Sequence, residues 1–248
     1  MNVVSHKWKL KLSVLSLPLP VEDNPLFWEP VDRSGLRSLL LTGYDNISHG
    51  LVCAMVERWH QETNNFHLPV GEMTITLDDV TCLLGIHVVG RIIQEDDLDH
   101  DHGVELMVNH LLFPVEETVE QVSNNSGAFA TYTTLKERYE HMLNRCNHLL
   151  GEDLSEEELS HIRPACVKAF LLLLLGYTLF AGKNSKTINL LWMLAIRYLA
   201  NIGTWSWGAM GLAFLYEQLT RTSYSHVGSV CGYMSLFVVI YFFLLFLS

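Results

Sequence analysis

The sequence predicts a mainly α-helical, multi-helix globular domain with one small β-hairpin near residues 66–75. Apolar residues recur at helical spacing in several segments, which is typical of amphipathic helices. Two capping-box sequences, at Thr76 and at Ser155, mark the starts of helices. Finally, Pro69-Val70-Gly71 separates two short β-like runs, which indicates a turn.

The hairpin and the helix after it occupy FHLPVGEMTITLDDVTCLLG, residues 66–85. Proline fixes φ at one corner of the turn, and Gly71 tolerates a positive φ at the other. Thr76 stands three residues before Asp79, so each residue can cap the other's backbone N–H. Gly85 stands where the helix ends in the left-handed conformation. The apolar stripe of this helix is expected to be Leu77, Val80, Leu83 and Leu84.

Residues 1–34 are predicted to be an irregular, proline-rich leader. The rest of the chain is predicted to be mostly helical. Ser155 caps a helix that Pro164 is expected to break or kink. Small residues at Gly208, Ala209 and Gly211 permit close helix packing. The expected helices span residues 46–62 (with Trp59 on the inner face), 135–150, 165–180, 188–200 and, capped by Thr204, 204–219.

Composition narrows the classes of function. The 248 residues carry a formal net charge of −11, with 49% hydrophobic and 17% charged residues. Such an acidic chain is a poor candidate for non-specific nucleic-acid binding, which depends on Lys and Arg. Acidic residues concentrate between Ile92 and Leu135, where Lys and Arg are absent. This span is predicted to be a solvated loop or weak helices, with a docking surface for a basic partner as the alternative.

The motifs with catalytic potential are weak. Asp99-His100-Asp101-His102-Gly103 offers metal ligands, but no helix-borne pair completes a site. Glu72, Asp78 and Asp79 could form an acid–base group, although two of them fall in the first turn of a helix. Lys183 and Lys186 lack surroundings suited to pyridoxal phosphate. We therefore expect no catalytic, cofactor or metal residue, and keep a metal- or pyridoxal-phosphate-dependent enzyme as the weaker alternative.

The cysteines and the apolar runs give indications of the cellular compartment and of membrane association. The five cysteines lack CxxC spacing, which indicates reduced thiols in an intracellular compartment. The uncharged run at residues 169–182 is too short to span a bilayer and is expected to be a core helix. The run at residues 230–247 approaches the length of a transmembrane helix. A tail-anchored membrane protein therefore stays open as an alternative.

The segment Glu57–Arg91 resembles the signature of the plant mobile domain, also labelled aminotransferase-like. That family includes MAINTENANCE OF MERISTEMS (MAIN-like) proteins and long-form relatives of a plant serine/threonine phosphatase. Phe170–Phe180 resembles the family's second block, and Leu191–Leu219 its third. The main matching residues are Trp59, Glu62, Thr63, Phe66, His67, Pro69, Gly71, Glu72, Thr76, Leu77, Asp79, Gly85, Gly90, Trp207 and Gly208.

The resemblance implies three regions and a non-catalytic role. The regions are a leader at 1–34, the plant mobile domain at 35–234, and an apolar tail at 235–248 that a truncated or mis-spliced gene model would explain. The implied role lies in the nucleus, in meristem maintenance, genome stability and transposon silencing. It would act through protein partners, either chromatin-associated proteins or a phosphatase of the same family group. In this interpretation Trp59, Phe66, Leu77, Leu83 and Trp207 pack the core.

Overall fold

Helices form most of the chain in the computed structural model, which describes residues 17–20, 24–42, 49–95, 97–124, 127–147, 154–182, 186–225 and 231–236. The helices are α1 (Pro25–Ser34), α2 (His49–Val56), α3 (Leu77–Leu84), α4 (His100–Leu111), α5 (Val115–Asn124), α6 (Tyr132–Cys146), α7 (Glu156–Tyr177), α8 (Met193–Ile196) and α9 (Trp207–Ser225). Single 3₁₀ turns cover Arg37–Leu40, Leu190–Trp192 and Leu199–Thr204. The prediction of a mainly α-helical fold is confirmed.

Two small antiparallel sheets complete the described architecture. Strands β1 (Trp59–His60), β2 (Asn65–Leu68) and β3 (Gly71–Met73) form a three-stranded meander. Its register places Phe66 opposite both Trp59 and Met73. Strands β4 (Phe129–Thr131) and β5 (Thr187–Asn189) pair far from the meander in sequence. The predicted hairpin is therefore confirmed, with one additional strand on its edge.

Helix α7 is the centre of the core, and α1, α4, α6 and α8 pack against it. Its segment from Ala165 to Gly176 is almost entirely buried, which confirms the predicted core helix. Ser155 and Glu158 form the predicted capping box. Of the break or kink predicted at Pro164, the break does not occur, because the helix continues through this residue. A proline removes one backbone donor, and burial of Ile162 and Ala165 on either side holds the helix together.

Among the described residues, α7 is the one helix whose length and apolar composition would allow it to cross a membrane. Of its most apolar stretch, 72% is buried inside the protein. The apolar run that favoured a tail anchor lies mostly outside the described residues. Cys231, Tyr233, Met234 and Leu236, at the start of that run, are buried.

The expected helix at residues 46–62 is shorter than predicted. Helix α2 ends at Val56, and Trp59 lies in β1 opposite Phe66. The i, i+4, i+8 spacing of Leu51, Met55 and Trp59 indicated one continuous helix. Pairing with β2 gives the backbone of Trp59 the hydrogen-bond partners that a helix would otherwise supply. Trp59 is therefore in a strand and not in the helix. The expected start of this helix, residues 46–48, lies outside the described residues.

The leader contains a regular helix, which corrects the prediction of irregular structure over residues 25–34. Asn24 caps α1 by accepting from the backbone N–H of Phe27 at 3.3 Å. Gly35 ends it with φ of 73°. The helix is anchored because the rings of Phe27 and Trp28 meet Phe170 of α7 edge-on, with centroids 5.2 and 6.1 Å away.

Three further expectations differ from the structure. The acidic span, predicted as a loop or weak helices, is irregular over residues 92–95 and 97–99 as expected, but continues into the regular helices α4 and α5. The expected helix at 188–200 is replaced by β5, a 3₁₀ turn and the short α8. Thr204 does not cap the last helix, because its hydroxyl donates to the carbonyl of Asn201 and α9 begins at Trp207. The expected helix at 135–150 is confirmed as α6 up to Cys146, while residues 148–151 lie outside the described residues.

Candidate functional site

The inner face of the three-stranded sheet is aromatic. Trp59 and Phe66 are buried, with ring centroids 4.9 Å apart. Tyr216 of α9 packs on Trp59 at 5.1 Å, and the Trp59 indole N–H donates to the hydroxyl of Thr220 at 3.0 Å. These contacts attach the sheet to α9, as core residues do.

The outer face of the same sheet is polar and exposed. Thr63 Oγ1 donates to Asn65 Oδ1 at 2.7 Å, and Asn65 Nδ2 donates to Glu72 Oε2 at 2.7 Å. Glu72 Oε1 lies 3.3 Å from His67 Nε2, and the His67 ring stacks on His60 at 4.6 Å. Two other signature residues, Glu62 and Pro69, are exposed nearby in sequence. Five polar side chains, of which Thr63 lies in the turn before β2, thus contact one another across the strands.

The capping box at the start of α3 is confirmed. The Thr76 backbone N–H donates to Asp79 Oδ2 at 2.7 Å, and the Asp79 N–H donates to Thr76 Oγ1 at 3.2 Å. Gly85 closes the helix with φ of 63°. Because Asp79 caps α3 while Glu72 binds Asn65 and His67, these two carboxylates serve separate hydrogen-bond groups. The structure does not assemble them into the acid–base group that was considered.

Only two of the four residues predicted to form the apolar stripe of α3 are buried. Val80 and Leu84 are buried, but Leu77 and Leu83 are 42% and 39% exposed. Helix α3 is short and packs against α9. One neighbouring helix covers only one side of it, so Leu77 and Leu83 remain at the surface instead of packing in the core.

The signature block joins the third block at a tight junction. Gly90 adopts φ of +147°, and a Cβ there would lie 2.5 Å from the carbonyl oxygen of Thr204. The Arg91 N–H donates to that carbonyl at 2.8 Å, and the Ser206 N–H donates to the Arg91 carbonyl at 2.8 Å. Gly208 N–H donates to His87 O at 2.7 Å. Here only glycine permits two backbones to approach so closely.

Two further signature residues, Trp207 and Gly208, lie at the same junction. A Cβ on Gly208 would lie 2.8 Å from Val88 and 2.9 Å from Val80. Trp207 is fully buried, so its expected place in the core is confirmed. Gly211, one turn along α9, lets Leu179 approach to 3.1 Å of where a Cβ would stand. The prediction that small residues allow close packing of α9 is therefore confirmed.

A cleft of about 620 Å³ opens beside this junction. Its walls include Arg91, Arg197, Tyr198, Asn201 and Trp205. The Arg91 guanidinium lies 4.5 Å above the centroid of Trp205, and that of Arg197 lies 5.1 Å from the Tyr198 centroid. Stacking of this kind fixes the plane of a guanidinium while its N–H edges stay available to a ligand.

Two more basic groups stand next to the cleft. The ring of His110 lies 6.1 Å from that of Tyr198, and His110 Nδ1 is 3.4 Å from Lys168 Nζ. Burial lowers the pKa of His110, and the positive charges of Lys168 and Arg197 lower that pKa further. Burial also lowers the pKa of Lys168. Basic groups from α4, α7 and two connecting segments thus gather in one region of an acidic chain.

This cationic region was missed in the sequence because its members are far apart along the chain. Arg91 follows the last signature glycine, and Arg197 is followed by Tyr198. A single arginine next to an aromatic residue in the sequence is only a weak indication of a binding site. Only the fold brings positions 91, 110, 168 and 197 together.

The metal candidate at Asp99–Gly103 lies at the start of α4, and not on the predicted irregular loop. Asp99 caps the helix by accepting from the His102 N–H at 2.8 Å, and its Oδ1 lies 2.9 Å from His102 Nδ1. These hydrogen bonds lower the pKa of Asp99. His100 pairs with Asp101 at 3.1 Å. In the described part of the chain, no three His, Cys, Asp or Glu side chains are arranged to hold a metal ion.

The two lysines that were weighed for pyridoxal phosphate are Lys183 and Lys186. Lys183 lies outside the described residues, and Lys186 is exposed at the turn before β5. Trp192 stacks on Phe180 at 3.4 Å and belongs to the edge of the core. The five cysteines form no disulfide.

Comparison with known proteins identifies the class to which this fold and signature belong. The plant mobile domain family model matches residues 35–244, and the chain belongs to that family. The match extends into the segment 235–248. No solved structure matches the chain.

Similar proteins of Arabidopsis thaliana carry the same domain. The chain is 31% identical over 234 residues to Protein MAINTENANCE OF MERISTEMS and 29% identical over 231 residues to Protein MAIN-LIKE 1, covering 93% of this chain in each case. It spans 42% and 40% of those proteins, respectively. It is also 29% identical, over 84% of its length, to a serine/threonine-protein phosphatase 7 long form homolog, of which it covers 14%.

Proposed function

We propose that this chain is a non-catalytic, nuclear scaffold that acts through protein partners in meristem maintenance, genome stability and transposon silencing. The name of one relative, MAINTENANCE OF MERISTEMS, supports the link to meristems. The proposed partners are chromatin-associated proteins or a phosphatase of the same family group. The chain spans about two fifths of the MAIN-like relatives, so their activity as whole proteins is carried over here only as a proposal.

One observation carries the proposal of a scaffold. The signature residues with chemical potential are engaged in building the fold: Asp79 caps α3, and Glu72 binds Asn65 and His67 on the sheet. The signature glycines Gly85 and Gly90 make a helix end and a close backbone approach. A reaction centre would instead need such groups to converge on an open pocket with perturbed pKa values.

The acidic face of α4 and α5 is the proposed docking surface for a basic partner. Glu105, Glu116, Glu117 and Glu120 are all exposed. Helix α5 has Glu116 and Glu117 in its first turn, where the helix dipole favours carboxylates. Basic tails of chromatin proteins would be attracted to such a face, and the attraction would weaken as salt is raised.

Affinity purification of the full tagged chain from plant nuclei tests this function. We expect chromatin-associated or phosphatase partners above the untagged control, and their loss when Glu116, Glu117 and Glu120 are changed to Gln. A matched variant with Glu156 and Glu157 changed to Gln, on the first turn of α7, should keep the partners. Recovery of no such partner from nuclei would contradict the proposal.

Pure protein provides an independent check on the non-catalytic part of the proposal. We expect no absorbance from a pyridoxal phosphate aldimine and no stoichiometric metal in elemental analysis. Either signal would favour the enzyme alternative, with His100 and His102 as the first residues to substitute. For the membrane alternative, retention in the pellet after carbonate extraction would favour an anchor within residues 230–247, whereas we expect nuclear localisation.

A further inference from the structure

We propose that the cleft between Arg91 and Arg197 binds a phosphate monoester carried on a peptide of a protein partner. The proposal rests on the function proposed above and specifies the chemistry of one partner. It concerns a separate set of side chains from the acidic ones on α4 and α5. Four observations support it: rigid placement, unused donors, cleft size and the apolar surroundings.

The Arg91 guanidinium is held in place before any ligand binds. The backbone of Arg91 is fixed on both sides, since its N–H and its carbonyl bind Thr204 and Ser206, and Gly90 is in close contact with Thr204. Trp205, which is buried, supports the Arg91 side chain from below. Because fixed groups lose little freedom on binding, such an arrangement favours a ligand.

The donors of both arginines are available. Arg37 and Arg163 pair with carboxylates at 3.0 and 3.2 Å. Neither Arg91 nor Arg197 has an ion-pair partner within the described ranges, although the sequence holds 27 acidic residues. The Nε of Arg197 is buried and donates no hydrogen bond to a described residue. Guanidinium groups without a carboxylate partner favour a charged acceptor, so two such groups on one cleft favour an oxyanion.

The size of the cleft and its charge select a single anionic group. A phosphate matches the planar fork of arginine and accepts two hydrogen bonds from each guanidinium. A nucleic acid needs a row of basic side chains along its backbone, and a net charge of −11 opposes such a polyanion. A volume of about 620 Å³ suits one phosphorylated side chain with its neighbours.

Exposed apolar residues beside Arg91 indicate a peptide and not a free ion. Val89 is 87% exposed and Ile92 is 55% exposed, one on each side of Arg91 in sequence. Tyr198, 59% exposed, provides a further surface at the other wall. These side chains would contact residues that flank the phosphate, and a free phosphate would make no use of them.

The test measures fluorescence anisotropy with the full chain and a labelled nine-residue peptide pool that has a central phosphoserine and degenerate flanks. We expect the phosphoserine pool to bind at least about tenfold more tightly than the same pool with serine. Changing Arg91→Gln or Arg197→Gln should weaken binding by about tenfold each. The control Arg221→Gln removes the same charge from a surface pair with Glu217 and should leave binding unchanged.

Glu95→Gln provides a second variant that does not depend on the arginines. Glu95 lines the cleft and is exposed. Removing its charge should tighten phosphopeptide binding several-fold, because the carboxylate repels the phosphate. Glu95 Oε2 accepts the Gln94 N–H at 3.2 Å, and the amide oxygen of a glutamine can accept the same bond. Thermal melts of every variant should match the parent chain. If an arginine variant unfolds, the Glu95 result still decides the proposal.

Competition identifies the source of the phosphate. Inorganic phosphate should displace the peptide only at concentrations at least about a hundredfold above the peptide's own Kd. Equal binding of the serine and phosphoserine pools would overturn the proposal, as would equal potency of inorganic phosphate or tighter binding of a nine-nucleotide single strand. If nuclear partners are recovered while the phosphopeptide pool fails to bind, this inference falls and the scaffold function stands.

Discussion

At the scale of single residues, Gly90 joins two distant parts of the chain through the absence of a side chain. Its φ of +147° lies in a region that L-amino acids rarely adopt, and its missing Cβ leaves room for the Thr204 carbonyl. The Arg91–Thr204 and Ser206–Arg91 hydrogen bonds depend on this approach. The residue therefore sets the position of the cleft wall as well as the packing of α9.

Gly90→Ala should destabilise the protein by at least about 2 kcal/mol, because it adds a clash to an unfavourable φ. Urea unfolding followed by circular dichroism measures the change. Gly71→Ala is the matched control, since Gly71 has φ of +126° but no atom within 4 Å of the added Cβ. If the two substitutions cost the same, the contact with Thr204 contributes nothing.

Residue-scale prediction from the sequence succeeded where local chemistry decides. Gly85 has the predicted left-handed conformation, and the pairing of Thr76 with Asp79 is as expected. It failed for Arg91 and Arg197, whose ring partners Trp205 and Tyr198 matter only because both pairs line one cleft. No local rule relates residue 91 to residue 197.

At the scale of elements, α3 depends on its cap because it has only eight residues. Short helices are marginal by themselves, so the reciprocal bonds of Thr76 and Asp79 matter more than in a long helix. The helix also carries Val80, which faces Gly208 of α9. Loss of the cap is therefore expected to weaken the junction of the signature block with α9.

Thr76→Ala should lower the free energy of unfolding by about 1 kcal/mol, the usual effect of losing an N-cap oxygen. Thr81→Ala, in the interior of the same helix, is the control and should be neutral or slightly stabilising because alanine favours helices. Chemical denaturation of both variants gives the comparison. A Thr76→Ala protein as stable as the Thr81→Ala protein would contradict a role for the cap.

Element boundaries show how far periodicity can predict structure. Trp59 continued the helical spacing of α2, yet strand pairing with Phe66 took it into β1. Pro164 signalled a break, yet the buried surroundings of α7 kept the helix continuous. In each case partners from elsewhere in the fold outweighed a local preference.

At the scale of the whole molecule, the core extends beyond the segment that the family model matches. The match begins at residue 35, but α1 precedes it and packs on α7. The rings of Phe27 and Trp28 cover Phe170, and Val31 is fully buried. Helix α1 is thus part of the same hydrophobic core as the matched residues.

Phe27→Ala should destabilise the full chain by about 3 kcal/mol, because it leaves a cavity against Phe170. Leu26→Ala, on the exposed side of the same helix, should change stability by less than about 0.5 kcal/mol. Thermal and urea unfolding measure both. Equal, small effects would show that α1 is not anchored to the core.

The sequence by itself determined the mainly α-helical class, the hairpin, the capping boxes at Thr76 and Ser155, and the family, because these depend on spacing and on residues near one another in the chain. Only the tertiary structure decided that α1 completes the core, that Leu77 and Leu83 stay exposed, and that Arg91 and Arg197 line one cleft with His110 and Lys168 nearby. Those outcomes depend on which surfaces meet after folding. Contacts between residues a hundred positions apart leave no periodic trace in the sequence.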